Sequence, residues 1–228
     1  NYNPATAKVY TDLGLFTTDA QIGKDATDLF NYLTGLSRQT QFRRLLIAPV
    51  NLRERFSELV EREITNHQAG RPARIIVKVN SLTDTKLVRE LYRASQAGVP
   101  VDLIVCGICS LRPGVPGLSD KIKVTSIVGR FLEHSRIFYF EHGGEEEIYI
   151  GSADWMLRNL NRRVELVTPI DDQKLKRHLK DDILDICLRD NVKARRLQVD
   201  GTYERVRPAE GEEVIDSQAH FLKFYSSN

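Results

Sequence analysis

The hydrophobic positions of this chain predict strands that alternate with helices along its first half. Three short apolar runs are typical of strands buried on both faces: residues 44–48, 73–79 and 101–105. Two segments between them repeat their apolar positions at helical spacing: residues 51–64 and 87–98. Asn51 is the expected N-cap of the first of these helices. This alternation predicts a parallel sheet covered by helices.

The pattern changes after the third strand. Residues 107–120 contain three glycines and two prolines, so they predict a long, shaped loop of the kind that often carries function. Four further strands are predicted, at residues 122–128, 136–140, 148–150 and 164–168. Residues 171–189 predict an amphipathic helix, with Leu175, Leu179, Ile183, Leu184 and Cys187 facing inward. A short helix is expected near residues 218–224. The predicted fold class is therefore α/β, with a mixed β-sheet flanked by helices.

Composition and charge narrow the possible partners. The 228 residues carry 33 basic and 31 acidic side chains, for a net charge of +2, so a polyanion would have to meet a local patch. Cys106, Cys109 and Cys187 offer no disulfide framework, which favours a reducing compartment. Cys106-x-x-Cys109 has no second such pair and no nearby histidine, which disfavours a zinc or redox site.

We find no apolar run of about 18 residues that would predict a membrane span. Because the chain starts at Asn1 without Met, we expect it to be a piece of a longer protein.

Four candidate catalytic residues fall on or next to the predicted hairpin of residues 136–140 and 148–150. His134 and Arg136 share one face of the first strand, because strand side chains alternate with period two. A loop centred on Gly144 would place Arg136 opposite Ser152 and His134 opposite Asp154. All four side chains would then crowd one end of a buried hairpin.

This set of residue types suits phosphoryl transfer, which needs proton transfer, cations for the oxygens, and alignment. His134 can act as a nucleophile or as a general acid/base, and Arg136 offers a planar fork matched to phosphate. Ser152 adds a hydroxyl donor, and Glu165 or Asp154 could fix the imidazole tautomer. Four more arginines are expected to bind polyanion nearby: Arg130, Arg158, Arg162 and Arg163.

The alternative is structural: His134 would be a strand-end histidine, and the arginines would form surface ion pairs. The other four histidines lack such company and are expected at the surface: His67, His142, His178 and His220. We expect Trp155, Phe138 and Phe140 in the core.

The hairpin residues also carry a family resemblance. His134-x-Arg136, Glu141 and Gly151-Ser152-x-Asp154 resemble the H-x-K-x-x-x-x-D…G-S-x-N signature of the phospholipase D superfamily. In this chain Arg stands for Lys, Glu for Asp, and Asp for Asn. The resemblance implies a phospholipase D-like mixed β-sheet flanked by helices.

Longer stretches resemble the carboxy-terminal catalytic region of bacterial polyphosphate kinases. They are residues 10–16, 107–114, 126–136 and 152–159. That family transfers the terminal phosphate of ATP reversibly to inorganic polyphosphate through a phosphohistidine, using two phospholipase D-like domains. The resemblance implies that residues 1–42 are the tail of the first domain and residues 43–228 the second.

The same resemblance implies roles for particular residues. His134 would be the acid/base partner and would contact ATP, and Tyr10 would contact the nucleotide. The phosphorylated histidine and the arginines that bind Mg²⁺ would lie upstream, outside this chain. The resemblance also implies that the full-length protein is a cytoplasmic homo-oligomer, with membrane association left open, whose partners are ATP or ADP, polyphosphate and the rest of the same polypeptide, and not nucleic acid.

One position departs from the family pattern. Where its members usually read Val-Arg-Gly after the third strand, this chain reads Val105-Cys106-Gly107. The usual arginine contacts the nucleotide phosphates, so that contact is in doubt here. Arg112, on the same loop, is the candidate to replace it.

Two other functions compete with the kinase hypothesis. The first is a phosphodiesterase or phosphatidyltransferase of the same fold, with His134 as its nucleophile. The second is a non-catalytic module that binds polyanions. The kinase-like stretches outside the hairpin favour the kinase.

Overall fold

The computed structural model describes residues 3–36 and 41–226. Its strands are β1 (Tyr10–Thr11), β2 (Leu46–Ala48), β3 (Ile75–Val79), β4 (Val101–Val105), β5 (Ile122–Ile127), β6 (Leu132–Glu133), β7 (Arg136–Phe140), β8 (Glu147–Gly151), β9 (Glu165–Ile170), β10 (Ala194–Leu197) and β11 (Tyr203–Arg205). Its α-helices are α1 (Ala20–Leu33), α2 (Leu52–Gln68), α3 (Thr85–Gln96), α4 (Leu157–Arg162), α5 (Gln173–Arg177), α6 (Asp185–Arg189) and α7 (Ser217–Ser226). No helix among these residues is long and apolar enough to cross a membrane.

Nine strands form one mixed sheet, in the order β11-β10-β5-β4-β3-β7-β8-β9-β2. The β3, β4 and β5 strands run parallel. Helix α3 connects β3 to β4, and the long loop of residues 106–121 connects β4 to β5. The β7–β8 hairpin continues the sheet antiparallel to β3. The predicted mixed sheet flanked by helices is confirmed.

Each face of the sheet has its own hydrophobic core. On one face, α2 and α3 pack with Phe138, Phe140 and Trp155, all fully buried. On the other face, Ile76, Ile104 and Tyr139 pack against the helical segment that contains α5 and α6. The alternation of strand side chains therefore divides β7 between the two cores, and the predicted core positions of Phe138, Phe140 and Trp155 are confirmed.

The hairpin is present, but the predicted register is wrong by one residue. Arg136 pairs with Gly151, not with Ser152, and Phe140 pairs with Glu147. The turn contains a short 3₁₀ segment, His142–Gly144, and His142 and Glu146 both have positive φ. Because the turn is irregular, its centre in sequence does not set the strand pairing.

Two local predictions also need correction. The predicted helix at residues 171–189 begins at Gln173, and its middle segment, His178–Leu184, is a π-helix. Leu175, which was predicted to face inward, is 42% exposed. Asn51 precedes α2 without capping it, because its Oδ1 accepts a hydrogen bond from the Ile47 amide at 2.6 Å.

The α1 helix packs against the β2 edge of the sheet. Its Asp25 is fully buried and accepts hydrogen bonds from the amides of Arg43, Arg44 and Leu45. Burial opposes ionisation of this carboxyl group, but these hydrogen bonds still hold its pKa below the usual range. The predicted division between residues 42 and 43 stays a prediction. Residues 1–2 and 37–40 of its first part and residues 227–228 of its second part lie outside the described residues.

Candidate active site

His134 lies between a carboxylate and a guanidinium at the end of the β7–β8 hairpin. Its Nδ1 is 2.9 Å from Asp12 Oδ1, and its Nε2 is 3.0 Å from Arg136 Nη1. The His134 side chain is 30% exposed, so the imidazole is held on both sides and still reachable.

The partners of the two ring nitrogens determine where the proton sits. A guanidinium has only donors, so Nε2 must accept the hydrogen bond from Arg136. The ring proton of neutral His134 is therefore on Nδ1, where it is donated to Asp12. Nε2 carries the lone pair that can take up a proton or attack an electrophile.

A two-stranded parallel sheet brings Asp12 and Tyr10 to this histidine. The β1 strand pairs with β6, with Tyr10 opposite Leu132 and Thr11 opposite Glu133. The Tyr10 ring meets the His134 ring edge-on, with centroids 5.3 Å apart and an interplanar angle of 85°. The predicted nucleotide-contacting tyrosine and the predicted acid/base thus lie side by side.

Arg136 is oriented by Asp154. Its Nε and Nη2 each donate to an Asp154 oxygen at 3.2 Å, and its Nη1 also donates to the His134 carbonyl at 2.8 Å. Asp154 Oδ1 accepts from the Asn80 amide as well, which ties it to the end of β3. Since Arg136 is only 9% exposed, most of its donors are committed inside the protein, and it positions the imidazole.

Ser152 and Glu165 form a neighbouring pair. The Ser152 hydroxyl donates to Glu165 Oε2 at 2.5 Å, and the Asn159 amide donates to Glu165 Oε1 at 2.7 Å. Gly151 precedes them where β9 approaches so closely that a Cβ atom would lie 2.3 Å from the Leu166 carbonyl oxygen. We expected Glu165 or Asp154 to fix the imidazole tautomer, and that expectation is wrong, because the carboxylate on Nδ1 is Asp12.

The remaining predicted site residues are arginines on the surface. Arg130 lies over the Phe131 ring at 5.0 Å, and Arg163 approaches Glu165 at 3.6 Å. Four of these arginines are exposed: Arg130, Arg158, Arg162 and Arg163. Arg112 is also exposed, and its charge lies near Asp200, whose pKa is lowered first by hydrogen bonds from Thr202 and further by Arg112.

Cys106 directly follows β4, at the position where the resemblance led us to expect an arginine. Burial raises the pKa of its thiol, although the nearby Lys78 ammonium partly opposes this. At neutral pH it is therefore a neutral thiol with no strong phosphate contact to offer. Glu141, the acidic member of the signature, lies at the far end of the hairpin and accepts from the Tyr139 hydroxyl at 2.5 Å.

The other four histidines were expected at the surface, and two of them are only partly exposed. His67 and His220 are exposed, as predicted. His142 and His178 are only partly exposed, and each contacts carboxylates: His142 approaches Glu145 and Glu147, and His178 lies 2.8 Å from Asp182.

Sequence reasoning missed three polar residues around the site: Asp12, Lys78 and Glu133. Lys78 was the most detectable, because it stands alone among apolar residues in β3 and is 1% exposed. Asp12 could not be found from periodicity, because β1 has only two residues and reaches the site through a long-range pairing. Within the part of the chain described here, no group of three or more His, Cys, Asp or Glu side chains is arranged to hold a metal ion.

Comparisons with known proteins identify two matching family models. "Polyphosphate kinase C-terminal domain 2" matches residues 45–218, and "Polyphosphate kinase C-terminal domain 1" matches residues 1–39. The Asp12–His134 contact thus joins residues matched by two different models.

Individual relatives agree with these models. The polyphosphate kinase of Synechocystis sp. is 59% identical over 221 residues, covering 97% of this chain and 30% of that protein. The crystal structure of polyphosphate kinase from Porphyromonas gingivalis matches with a TM-score of 0.94 and 41% identity, covering 100% of this chain and 35% of the other. The chain thus spans about a third of the length of these relatives.

A more distant structure shares the fold alone. The phospholipase D family member Nuc from Salmonella typhimurium matches at 12% identity with a TM-score of 0.50, covering 68% of this chain and 97% of that one. The predicted phospholipase D-like fold is confirmed.

Proposed function

This chain belongs to the polyphosphate kinase family, and we propose that it supplies one side of a catalytic centre that moves the terminal phosphate of ATP reversibly onto inorganic polyphosphate. The observation that carries this proposal is the His134 cluster. A reachable imidazole, oriented by Asp12 and Arg136 and flanked by Tyr10, is what proton transfer beside a bound nucleotide requires.

In the proposed mechanism, Nε2 of His134 is the atom that exchanges the proton. At present, Arg136 Nη1 donates a hydrogen bond to His134 Nε2. A phosphate oxygen that enters beside Arg136 can accept this hydrogen bond instead, and the Nε2 lone pair then becomes available. When the terminal phosphate leaves ATP, the protonated Nε2 donates its proton to the oxygen of the departing ADP, and the ring returns to the neutral form. In the reverse direction Nε2 takes the proton back from that ADP oxygen, and the Asp12 carboxylate balances the positive charge of the ring.

The other residues would bind and align the substrates. Tyr10 would contact the nucleotide, and Arg112 would contact its phosphates in place of the arginine missing at Cys106. The exposed arginines would hold polyphosphate by charge: Arg130, Arg158, Arg162 and Arg163. Ser152, Asp154 and Glu165 would support the site from within, through the hydrogen bonds described above.

The proposal also includes what the longer relatives supply. A phosphohistidine and a Mg²⁺ site would come from segments outside this chain, so the isolated chain would accumulate no phosphate. The whole protein would act in the cytoplasm as a homo-oligomer. These statements rest on membership of the family and on the chain spanning 30% of its relative's length.

Labelled ATP tests the proposal. A polypeptide of the relatives' length that contains this chain is expected to convert γ-³²P-ATP into long phosphate chains through an acid-labile phosphohistidine, whereas this chain alone is expected to take up no label. Label in His134 of the isolated chain would overturn the division of roles. Hydrolysis of phosphodiesters without transfer to polyphosphate would favour the phosphodiesterase alternative.

A further inference from the structure

A second polar network lies behind the site, on the other face of the sheet from Arg136. Lys78 alternates with Val77 and Val79, which share a core with Phe138, so its side chain points to the opposite face. Three side chains form this network, and each is almost fully buried: Lys78 (1% exposed), Glu133 (4%) and Gln218 (5%).

Lys78 binds both residues that flank His134 in sequence. Its Nζ lies 3.3 Å from Glu133 Oε2, and it donates to the Ser135 hydroxyl at 2.9 Å and to the Ser135 carbonyl at 3.2 Å. A single ammonium group therefore fixes the backbone on either side of His134.

Gln218 extends the network to the C-terminal helix. Its Nε2 donates to Glu133 Oε1 and to the Phe131 carbonyl, both at 2.9 Å, and its Oε1 accepts from the Phe131 amide at 2.9 Å. The Gln218 side-chain amide thus makes the two hydrogen bonds with the Phe131 backbone that a neighbouring strand would otherwise make. The helix is anchored in turn, because Asp190 accepts from the Ser217 amide at 2.8 Å and from its hydroxyl at 2.6 Å.

Stability alone does not explain this arrangement. A buried ion pair usually adds little stability over well-packed apolar side chains of the same size, because desolvation offsets the attraction. What the polar network supplies is a single backbone geometry in which every buried group finds its partner. That backbone geometry sets the direction in which the His134 side chain points from the backbone.

We propose that Gln218, Glu133 and Lys78 are positioning residues, through which helix α7 holds His134 against Tyr10 and Asp12. This inference rests on the proposed function for its catalytic consequence, but its geometric part does not. A misplacement of about 1 Å in a catalytic group can cost on the order of 10²-fold in rate.

Two variants test this polar network. Lys78→Met with Glu133→Leu replaces the ion pair by apolar side chains, and Gln218→Leu removes three hydrogen bonds at its helical end. Gln198→Leu is the matched control, because the Gln198 side chain donates only to the Arg196 carbonyl, in strand β10 at the other side of the sheet. Each variant of this chain is examined by thermal unfolding and by the nuclear Overhauser effect between the rings of Tyr10 and His134.

We expect both variants to stay folded, to weaken the Tyr10–His134 effect and, in a polypeptide of the relatives' length, to lower turnover on the order of 10²-fold, while Gln198→Leu changes neither. An unchanged ring contact or unchanged turnover in a folded variant would overturn the proposal. If the double variant fails to fold, Gln218→Leu decides alone. If the polypeptide makes no polyphosphate, the proposed function fails, and the ring contact still tests the positioning.

Discussion

The β7–β8 hairpin carries a polar cluster at each end, and the two clusters differ in what they leave accessible. At the site end, His134 is bound on both nitrogens but remains 30% exposed. At the turn end, the fully buried Glu63 accepts hydrogen bonds from the amides of His142 and Arg74 at 2.9 and 3.2 Å. There, Glu146 accepts from Tyr139 and is paired with Lys180.

The comparison shows that buried charge alone does not mark a functional site. The carboxylates of the turn end bind backbone amides, a phenol and an ammonium, so they hold a loop together. At the site end, His134 Nε2 accepts from Arg136, and in the proposed mechanism a substrate oxygen releases this lone pair. At the turn end, burial raises the pKa of Glu63 to about 7 despite its hydrogen bonds.

The largest effect is expected from replacing the histidine at the site end. His134→Asn should lower turnover by about 10²–10⁴-fold, the usual contribution of a general acid or base. His142→Asn is the matched control at the turn end, where asparagine tolerates the positive φ of this position. Polyphosphate formation from ATP by a polypeptide of the relatives' length is the measurement. Equal losses in both variants would contradict the distinction between the two ends.

The second-largest loss of turnover is expected from replacing Asp12. Asp12→Asn removes the charge beside the Nδ1 proton of His134, and a hydrogen bond to a charged group contributes about 1.5–3 kcal/mol, or roughly 10- to 150-fold in rate. Turnover should fall by that factor with unchanged thermal stability. Glu145→Gln is the control, because Glu145 lies 3.4 Å from His142 Nε2 at the turn end of the hairpin. A change of less than about twofold would show that Asp12 does not support the imidazole.

At the turn end, Glu63 should make stability depend on pH. Its pKa is about 7 in the folded protein against 4.5 for a free glutamate, so across this window the folded state binds more protons than the unfolded state. The free energy of unfolding should therefore fall as pH rises from 4.5 to 7. Glu63→Gln should remove up to about 3 kcal/mol of this fall. Urea unfolding at several pH values measures it, with the exposed Glu58→Gln on the same helix as control.

The smallest effect is expected from the exposed arginines of the site end. Replacing Arg158 or Arg162 by Ala should weaken polyphosphate binding a few-fold and reduce the slope of log affinity against log salt by about 0.7–0.9 for each phosphate group that is no longer neutralised. Arg89→Ala, on the exposed side of α3, should leave the slope unchanged. Fluorescence anisotropy with labelled polyphosphate gives the slope. A binding constant independent of salt would indicate a specific pocket instead of a charged surface.

Much of the fold could be predicted from the sequence because its signals are local. The apolar runs of β3 and β4 and the helical spacing of α2 identify these elements, since buried strands and amphipathic helices have different periods. The motif around His134 and Arg136 predicted a site on the hairpin from the same kind of local signal, because strand side chains alternate with period two.

The contacts that complete the site were decided only by the tertiary structure. The Asp12–His134 contact joins residues 122 positions apart, and the Gln218–Glu133 contact spans 85 positions. The hydrophobic pattern of the sequence cannot predict such long-range contacts, because they depend on how β1, β6 and α7 pack together. The hairpin register was likewise decided by the irregular turn at residues 142–146, where positive φ angles set which residues face each other. The sequence thus determined which side chains are present at the hairpin end, and the tertiary structure determined which of them bind the imidazole.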